Sequence, residues 1–388
     1  MGTERVRIGL LFSTTGPYAT IGQAMYNGAR LAVEEVSSDP TFPFHLETVD
    51  VDAGGSNERY AAAAERMLTT DGLVHVVGCY TSSSRKEVLP FFEKHDGLLW
   101  YPSHYEGFES SEHVIYTGAA PNQHIVPLAQ YMLRSHGRRA FCIGSNYIWA
   151  WENNKIMREA ALAAGGTVLA ERYFPVGETN FDGVIDQILA MRPSFVFNTL
   201  IGLSAYEFFR AFRCAARSRG LDQVTDIPIA SCSLSEPELV EIGSEACDGH
   251  VSSSVYFESI DTAQNHAFVS AYRRRFPDAG PTSADAESSY LAVHLLARAI
   301  RAARSSEMQA TRAALASVSI DAPQGEVRID SRNRHCFLTP RIGVSNAERA
   351  FEIIYQSPIP VRPDPYLVDE AGLPEDAALP PPVLRVVR

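Results

Sequence analysis

Four stretches of this sequence set hydroxyls, backbone amides and aromatic rings side by side with few charges between them. They are Cys79-Tyr80-Thr81-Ser82-Ser83-Ser84, Tyr101-Pro102-Ser103-His104-Tyr105-Glu106-Gly107, Gly144-Ser145-Asn146-Tyr147-Ile148-Trp149-Ala150-Trp151 and Ser231-Cys232-Ser233-Leu234-Ser235. Hydroxyls and amides of this kind hydrogen-bond a small, neutral, planar polar molecule while the rings exclude water. Plainer roles compete at each position. One serine of 82–84 is placed to cap a helix, and Tyr101 and Trp149 are of a type that fills cores. His104 reads as a polar wall residue, because no aspartate nearby in sequence would orient it as a base.

Reactive chemistry finds less support. The eleven histidines form no HExxH or H-x3-H pair, and the six cysteines form no CxxC, so no metal and no cofactor is expected. Ala53-Gly54-Gly55 follows an apolar run but matches neither nucleotide-binding glycine pattern, and Gly144-Ser145-Asn146 is not a nucleophile elbow. No Ser-Ser-Lys or Cys-Glu-Lys set falls in the four stretches, which argues against an amidohydrolase and for a binding protein.

The elements that would position these stretches alternate. Short apolar runs at 6–12, 45–51, 73–77 and 98–101 are separated by helical patterns at 22–36, 58–68 and 83–95. The alternation restarts near 118–124, with strands at 139–143, 167–173, 194–200, 227–230 and 249–253 and helices between them. Strands alternating with helices imply βαβ units and parallel sheets. The expected fold is therefore α/β, with two Rossmann-like doubly wound lobes and a ligand cleft between them. All four stretches follow strands, where open α/β sheets bind ligands. The helix at 286–303 should return to the first lobe, and the proline-rich tail at 358–388 should be irregular. The division is 1–120 with about 257–325, against 121–256 with about 326–357.

Bulk properties exclude other classes. A net charge of −12 argues against direct contact with nucleic acid, and Arg273-Arg274-Arg275 reads as a solvated helix end. No run of about 18 apolar residues is present to insert in a membrane. The opening residues carry no leader pattern, so a cytoplasmic location is expected, or a periplasmic one for a chain whose leader has been removed. A homo-oligomer is compatible with the sequence.

Several motifs are familiar in combination: IGLLFSTTG (8–16), GARLAVEE (28–35), YPSHYEGFE (101–109), APN (120–122), IDAPQG (320–325) and QSPIPVRPDPY (356–366). Over nearly its whole length the chain resembles the periplasmic-binding-protein type I family of branched-chain amino acid, amide and urea receptors, and most of all its amide-receptor branch, which represses aliphatic amidase operons. The resemblance implies three crossovers between the lobes and a short-chain amide or urea-like ligand. It also implies contacts from Tyr80, Ser82, Tyr101, Ser103, Trp149 and Ser233, with His104 and Tyr147 in the same loops. Trp149 stands where that branch has tyrosine and His104 where it has proline, so pocket size and polarity differ. The implied partner is an RNA-binding antiterminator. The alternative is a solute-binding protein feeding an ABC transporter for urea, amides or branched-chain amino acids. An amino acid would need a carboxylate for its ammonium, and Glu106, Glu207 and Glu236 are the candidates. On this reading Tyr101→Ala and Ser82→Ala each weaken binding without unfolding the protein.

Overall fold

The computed structural model describes residues 4–368. The first lobe begins β1 (Glu4–Phe12), α1 (Ala19–Ser38), β2 (Phe44–Asp52), α2 (Asn57–Thr69), β3 (His75–Gly78), α3 (Ser82–Lys94), β4 (Leu98–Tyr101) and β5 (Val114–Tyr116). These strands form a parallel sheet in the order β2-β1-β3-β4-β5. Its strands are apolar along most of their length because helices cover both faces.

The second lobe follows as α4 (Ile125–Ser135), β6 (Arg139–Ser145), α5 (Ile148–Ala163), β7 (Thr167–Phe174), α6 (Asp182–Met191), β8 (Phe195–Thr199), α7 (Leu203–Ser218), α8 (Gln223–Asp226), β9 (Ile229–Ser231), α9 (Glu236–Ile242) and β10 (Val251–Ser254). The chain then returns through α10 (Ala263–Arg275), α11 (Ala284–Ala303), α12 (Met308–Ala314), β11 (Ser319–Ala322), β12 (Gly325–Ile329), β13 (Cys336–Phe337), β14 (Arg341–Ser345) and β15 (Phe351–Gln356). The second sheet runs β15-β14-β10-β9-β8-β6-β7, with β14 antiparallel to both its neighbours, β10 and β15.

The return helix packs as its Ala/Leu-rich sequence implies. α11 lies along α1, and Gly28 makes the approach close: a Cβ there would fall 2.0 Å from the Ala286 carbonyl oxygen. Three segments cross between lobes, at 117–124, 255–262 and 338–340. Residues 325–337 behave differently from the sequence-based division, which starts the second lobe's closing segment near 326. β12 and β13 pair with β11 in a separate antiparallel sheet, and His335 bridges Tyr116 on the first lobe's edge strand. Only β14 and β15 join the second sheet. Of the expected proline-rich tail, 358–368 runs irregularly over the first lobe, with Phe108 donating its N–H to the Pro365 carbonyl at 2.7 Å; 369–388 lie outside the described residues.

One hydrophobic core continues through both lobes, from Val6 and Ile8 through Tyr80 to Trp149, Phe197 and Ala230. The six cysteines are free thiols, five of them buried. No helix among the described residues is long and apolar enough to cross a membrane.

Candidate functional site

The strand-end loops of the two lobes face each other across a cleft of about 360 Å³. Tyr18, Gly55, Thr81 and Ser83 line it from the first lobe, and Tyr147, Val176 and Ile201 from the second. A separate small void encloses about 20 Å³, room for about one water. His104, His124, Cys232, Ser253, Asp285 and Ser288 surround the void.

The β3–α3 turn shows how the first lobe sets its side of the site. Cys79 takes φ +67°, a left-handed conformation that turns the chain sharply at the strand's end. Thr81 then caps α3, its Oγ1 accepting from Ser84 N–H at 3.1 Å. The cap is therefore Thr81, and Ser82 is free for another use. Ser82 Oγ donates to Glu106 Oε2 in a short bond, and Glu106 Oε1 is held by Arg85 at 3.1 Å. Arg85 is wholly buried between the rings of Tyr101 and Tyr105, each centred 4.7 Å from the guanidinium carbon. Its Nε donates to Glu109 at 2.7 Å. Burial pushes the Glu109 carboxyl up, but Arg85 and Lys86 outweigh it and hold the group at about 2.

Ser103 repeats the arrangement. Its hydroxyl donates to Asp285 Oδ1 at 3.3 Å. Burial drives the Asp285 carboxyl up to about 7. Burial, with the Asp285 charge added, drives the nearby Glu238 carboxyl up to about 8. His104 and His124 sit edge to face, 5.4 Å apart, and burial depresses them to about 3 and about 4, so both are neutral imidazoles at neutral pH. His124 Nε2 contacts the Tyr105 carbonyl at 2.9 Å and its Nδ1 has no partner.

The second lobe contributes the head of α5. The helix starts at Ile148, so Trp149 belongs to its first turn and not to a loop. Trp149 stacks on Tyr147 (6.2 Å between rings) and meets the edge of His104 at 5.4 Å, which joins the lobes. Its indole Nε1 is buried with no hydrogen-bond acceptor.

The eight residues singled out in the sequence are thus placed unequally. Tyr147 lines the cleft and Tyr80 packs against Tyr18 on its wall, rings 5.4 Å apart. Ser82, Ser103 and Trp149 are buried and line neither the cleft nor the void, while His104 lines the void. Tyr101 is fully buried, and its hydroxyl donates to the Tyr80 carbonyl at 2.7 Å, so it supports Tyr80 from behind. Ser233 is half-buried and its N–H is spent on Ser231 Oγ at 3.2 Å, while neighbouring Cys232 reaches the void. The candidate carboxylates for an ammonium are occupied or elsewhere. Glu106 is paired with Arg85, Glu207 with Arg210 at 2.6 Å, and Glu236 accepts from Glu258 N–H at 2.7 Å. Glu238, Asp285, Tyr18 and Ile201 escaped the sequence reading. The Ser-Glu-Pro-Glu run at 235–238 carried the one legible signal, a capping box that brings Glu238 back onto Ser235 N–H at 2.9 Å.

Comparison with known proteins accords with this architecture. The chain superposes on a solute-binding protein of an ABC transporter from Rhodopseudomonas palustris, crystallised with p-hydroxybenzoic acid, with a TM-score of 0.84 and 18% identity, covering 95% of this chain and 100% of that one. It also superposes on a branched-chain amino acid transporter substrate-binding protein from Streptococcus pneumoniae in complex with isoleucine, with a TM-score of 0.77 and 19% identity, covering 91% and 99%. A curated limonene hydroxylase from Geobacillus stearothermophilus is 31% identical over 124 residues, which is 31% of this chain. The match spans only 23% of that protein's length. The family model for the periplasmic binding protein domain matches residues 6–371, and the chain belongs to that family.

Proposed function

We propose that this chain is a non-enzymatic receptor for a short-chain aliphatic amide or urea-like molecule held between the lobes. The observation that carries the reading is the balance of groups at the cleft. Among the described residues lining the cleft and the void there is no lysine or arginine. The buried guanidinium of Arg85 is consumed by two carboxylates. A carboxylate ligand therefore meets no cation. A neutral amide meets acceptors on the first lobe, where Ser82 and Ser103 have committed their protons to Glu106 and Asp285, and a free donor on the second at Trp149 Nε1. On this proposal Tyr80, Tyr147 and His104 wall the ligand, Tyr101 backs Tyr80, and Ser233 contributes a contact from the second lobe. Ser82 is no nucleophile on this reading, because its proton goes to a carboxylate already neutralised by Arg85.

Size sets the affinity. Acetamide has about four heavy atoms, so its binding free energy is at best about −6 kcal/mol and its Kd is on the order of tens of µM. Such a ligand shifts a closure equilibrium only if the open and closed states lie within a few kcal/mol of each other, which suits a sensor. The resemblance of the motifs to the amide-receptor branch supports a cytoplasmic role in which closure controls a transcription antiterminator, and the acidic surface is complementary to a basic RNA-binding partner.

A second reading, a solute-binding protein of an ABC transporter, is favoured by the solved structures the chain resembles. Calorimetry against acetamide, propionamide, butyramide, urea, leucine and benzoate separates the possibilities. Saturable binding of an amide or urea at µM concentrations supports the receptor proposed here. Binding of leucine or benzoate alone would move the protein to the transport reading, and ammonia released from any amide would make it an enzyme.

A further inference from the structure

A cavity of about 320 Å³ opens beside the β12–β13 hairpin, and a second of about 340 Å³ adjoins it, the two sharing Ala316, Ile329 and Ser331. Arg328, Arg332 and Arg362 line the first, with Asp330 as its one carboxylate among the described residues. Arg312, Arg334 and Glu112 line the second. Among the described residues five guanidiniums thus face two carboxylates, in a chain whose net charge is −12.

Both carboxylates are already spent. Asp330 Oδ1 accepts from Arg332 N–H at 2.8 Å, and Oδ2 accepts from Arg362 Nε at 2.9 Å. Burial pushes the Asp330 carboxyl up, but the Arg332 N–H and Arg362 outweigh it and hold the group below its ordinary range, so it is ionised at neutral pH. Glu112 pairs with Arg312 at 2.9 Å. Arg328, Arg332 and Arg334 have no carboxylate within ion-pair distance among the described residues. A guanidinium does not lose its proton in a protein, so three positive charges remain uncompensated. Two of these side chains are also held in place without exhausting their donors. Arg328 lies on the Phe337 ring, its guanidinium carbon 3.4 Å from the ring centre, which fixes the plane of the fork and leaves its N–H edge open. Arg334 donates only Nε to the Ser111 carbonyl, at 2.8 Å. Planar forks of this kind match the paired oxygens of a phosphate or a carboxylate. A cation is repelled here, and a monoanion leaves most of the surplus charge unmatched.

We propose that this basic hollow is a second ligand site, separate from the interlobe cleft, that takes a small dianion (a phosphate group or a short dicarboxylate) on Arg328 and Arg332. Titration calorimetry of the full chain at fixed ionic strength tests it, with sodium phosphate and sodium succinate as the dianions and sodium acetate as the monoanion. The expected result is saturable binding of at least one dianion with a Kd between about 10 µM and 10 mM, within what ligands of this size allow. Phosphate alone would assign a phosphate-bearing ligand, and succinate alone a dicarboxylate. Arg328→Gln and Arg332→Gln should each weaken binding at least ~10-fold, the cost expected for losing a charge-assisted hydrogen bond. Both side chains are exposed, so both variants should fold as the wild type does. Arg217→Gln removes the same charge from an exposed position on α7 and should leave the affinity unchanged. The proposal is overturned by no saturable signal from either dianion, by acetate binding as tightly, by wild-type affinity in either Arg328→Gln or Arg332→Gln, or by an equal loss in Arg217→Gln.

Discussion

Ser82 and Glu106 touch, yet their substitution should be felt in different quantities. On the proposed function Ser82 offers one oxygen to the ligand, and removing it in Ser82→Ala deletes one hydrogen bond, worth about 0.5–1.5 kcal/mol, or roughly a 3- to 10-fold loss in amide affinity. The melting temperature should hardly move, and calorimetry beside a thermal scan reads both. Glu106 instead balances a guanidinium that is wholly buried. Glu106→Ala leaves Arg85 with Glu109 and a half-exposed lysine beside it, and breaking such a pair costs about 3–5 kcal/mol of stability. Unchanged stability in Glu106→Ala would show that Arg85 relaxes toward Glu109 at no cost. The expectation that Tyr101→Ala is tolerated does not survive the geometry. Tyr101 is a core ring under Arg85, and its truncation should cost about 3–5 kcal/mol. Tyr101→Phe is the informative variant, since it removes only the hydroxyl on the Tyr80 carbonyl.

At the scale of elements, the head of α7 decides how closely the lobes approach. Gly202, its N-cap, has φ +57° and ψ −139°, and a Cβ there would fall 2.4 Å from the Pro17 carbonyl oxygen on the opposite lobe. Gly202→Ala should therefore weaken amide binding about 10-fold or more and expand the molecule in X-ray scattering with ligand present, the two signs of a cleft held open. Gly220→Ala is the control: its φ is +71°, but nothing lies within 4 Å of the added carbon, so it carries backbone strain of about 1–2 kcal/mol without the interlobe contact. Equal loss of affinity in both would mean that strain and not closure is responsible. Other elements show where the sequence was legible. The central strands β3, β4 and β8 announce themselves, because they are buried along their whole length and largely apolar. Val114–Tyr116 does not, being three residues long, nor does β14, where buried Arg341 begins a strand that looks like a loop. The start of α5 at Ile148 is not legible, since the aromatic run there has neither a side-chain cap nor clear periodicity, and Trp149 therefore reads as a loop residue in the sequence. The loops of the candidate site follow from the rule that α/β sheets bind at strand ends. Asp285, His124 and Glu238 do not, because the crossovers and helix starts that bring them in lie far apart in sequence.

Across the whole molecule the buried titratable groups fall into two sets that oppose each other. Asp285 and Glu287 are pushed up to about 7, and Glu236 and Glu238 to about 8, all mainly by burial. A carboxyl raised in the folded state binds its proton more tightly there than in the unfolded chain. Its stabilising effect is complete below the ordinary carboxylate range and is lost as pH rises through 7 to 8. His75 and His124 are depressed to about 4, and His104, His250 and His335 to about 3, again mainly by burial. For these the sign reverses: the unfolded chain takes the proton first, near 6.5, and stability is lost as pH falls below that. Between about pH 4.5 and 6.5 four carboxyls and five imidazoles therefore pull in opposite directions with slopes of up to about 1.4 kcal/mol per group per pH unit, and nearly cancel. Above 6.5 the imidazoles are neutral in both states and only the carboxyls act, joined above about 8.5 by buried thiols such as Cys79, pushed up to about 12. Thermal unfolding should be flat from pH 4.5 to 6.5 and then fall by roughly 5 °C or more by pH 8.5. Glu238→Gln, which cannot ionise, should reduce that fall, whereas the same substitution at exposed Glu348 should not. A melting temperature unchanged between pH 6.5 and 8.5 would mean that these carboxyls are solvated or neutralised in solution. If the cleft ligand donates N–H groups to Asp285 and Glu238, saturating acetamide should stabilise the protein more at pH 8.5 than at pH 6, because the ionised carboxylates it satisfies exist only at the higher pH.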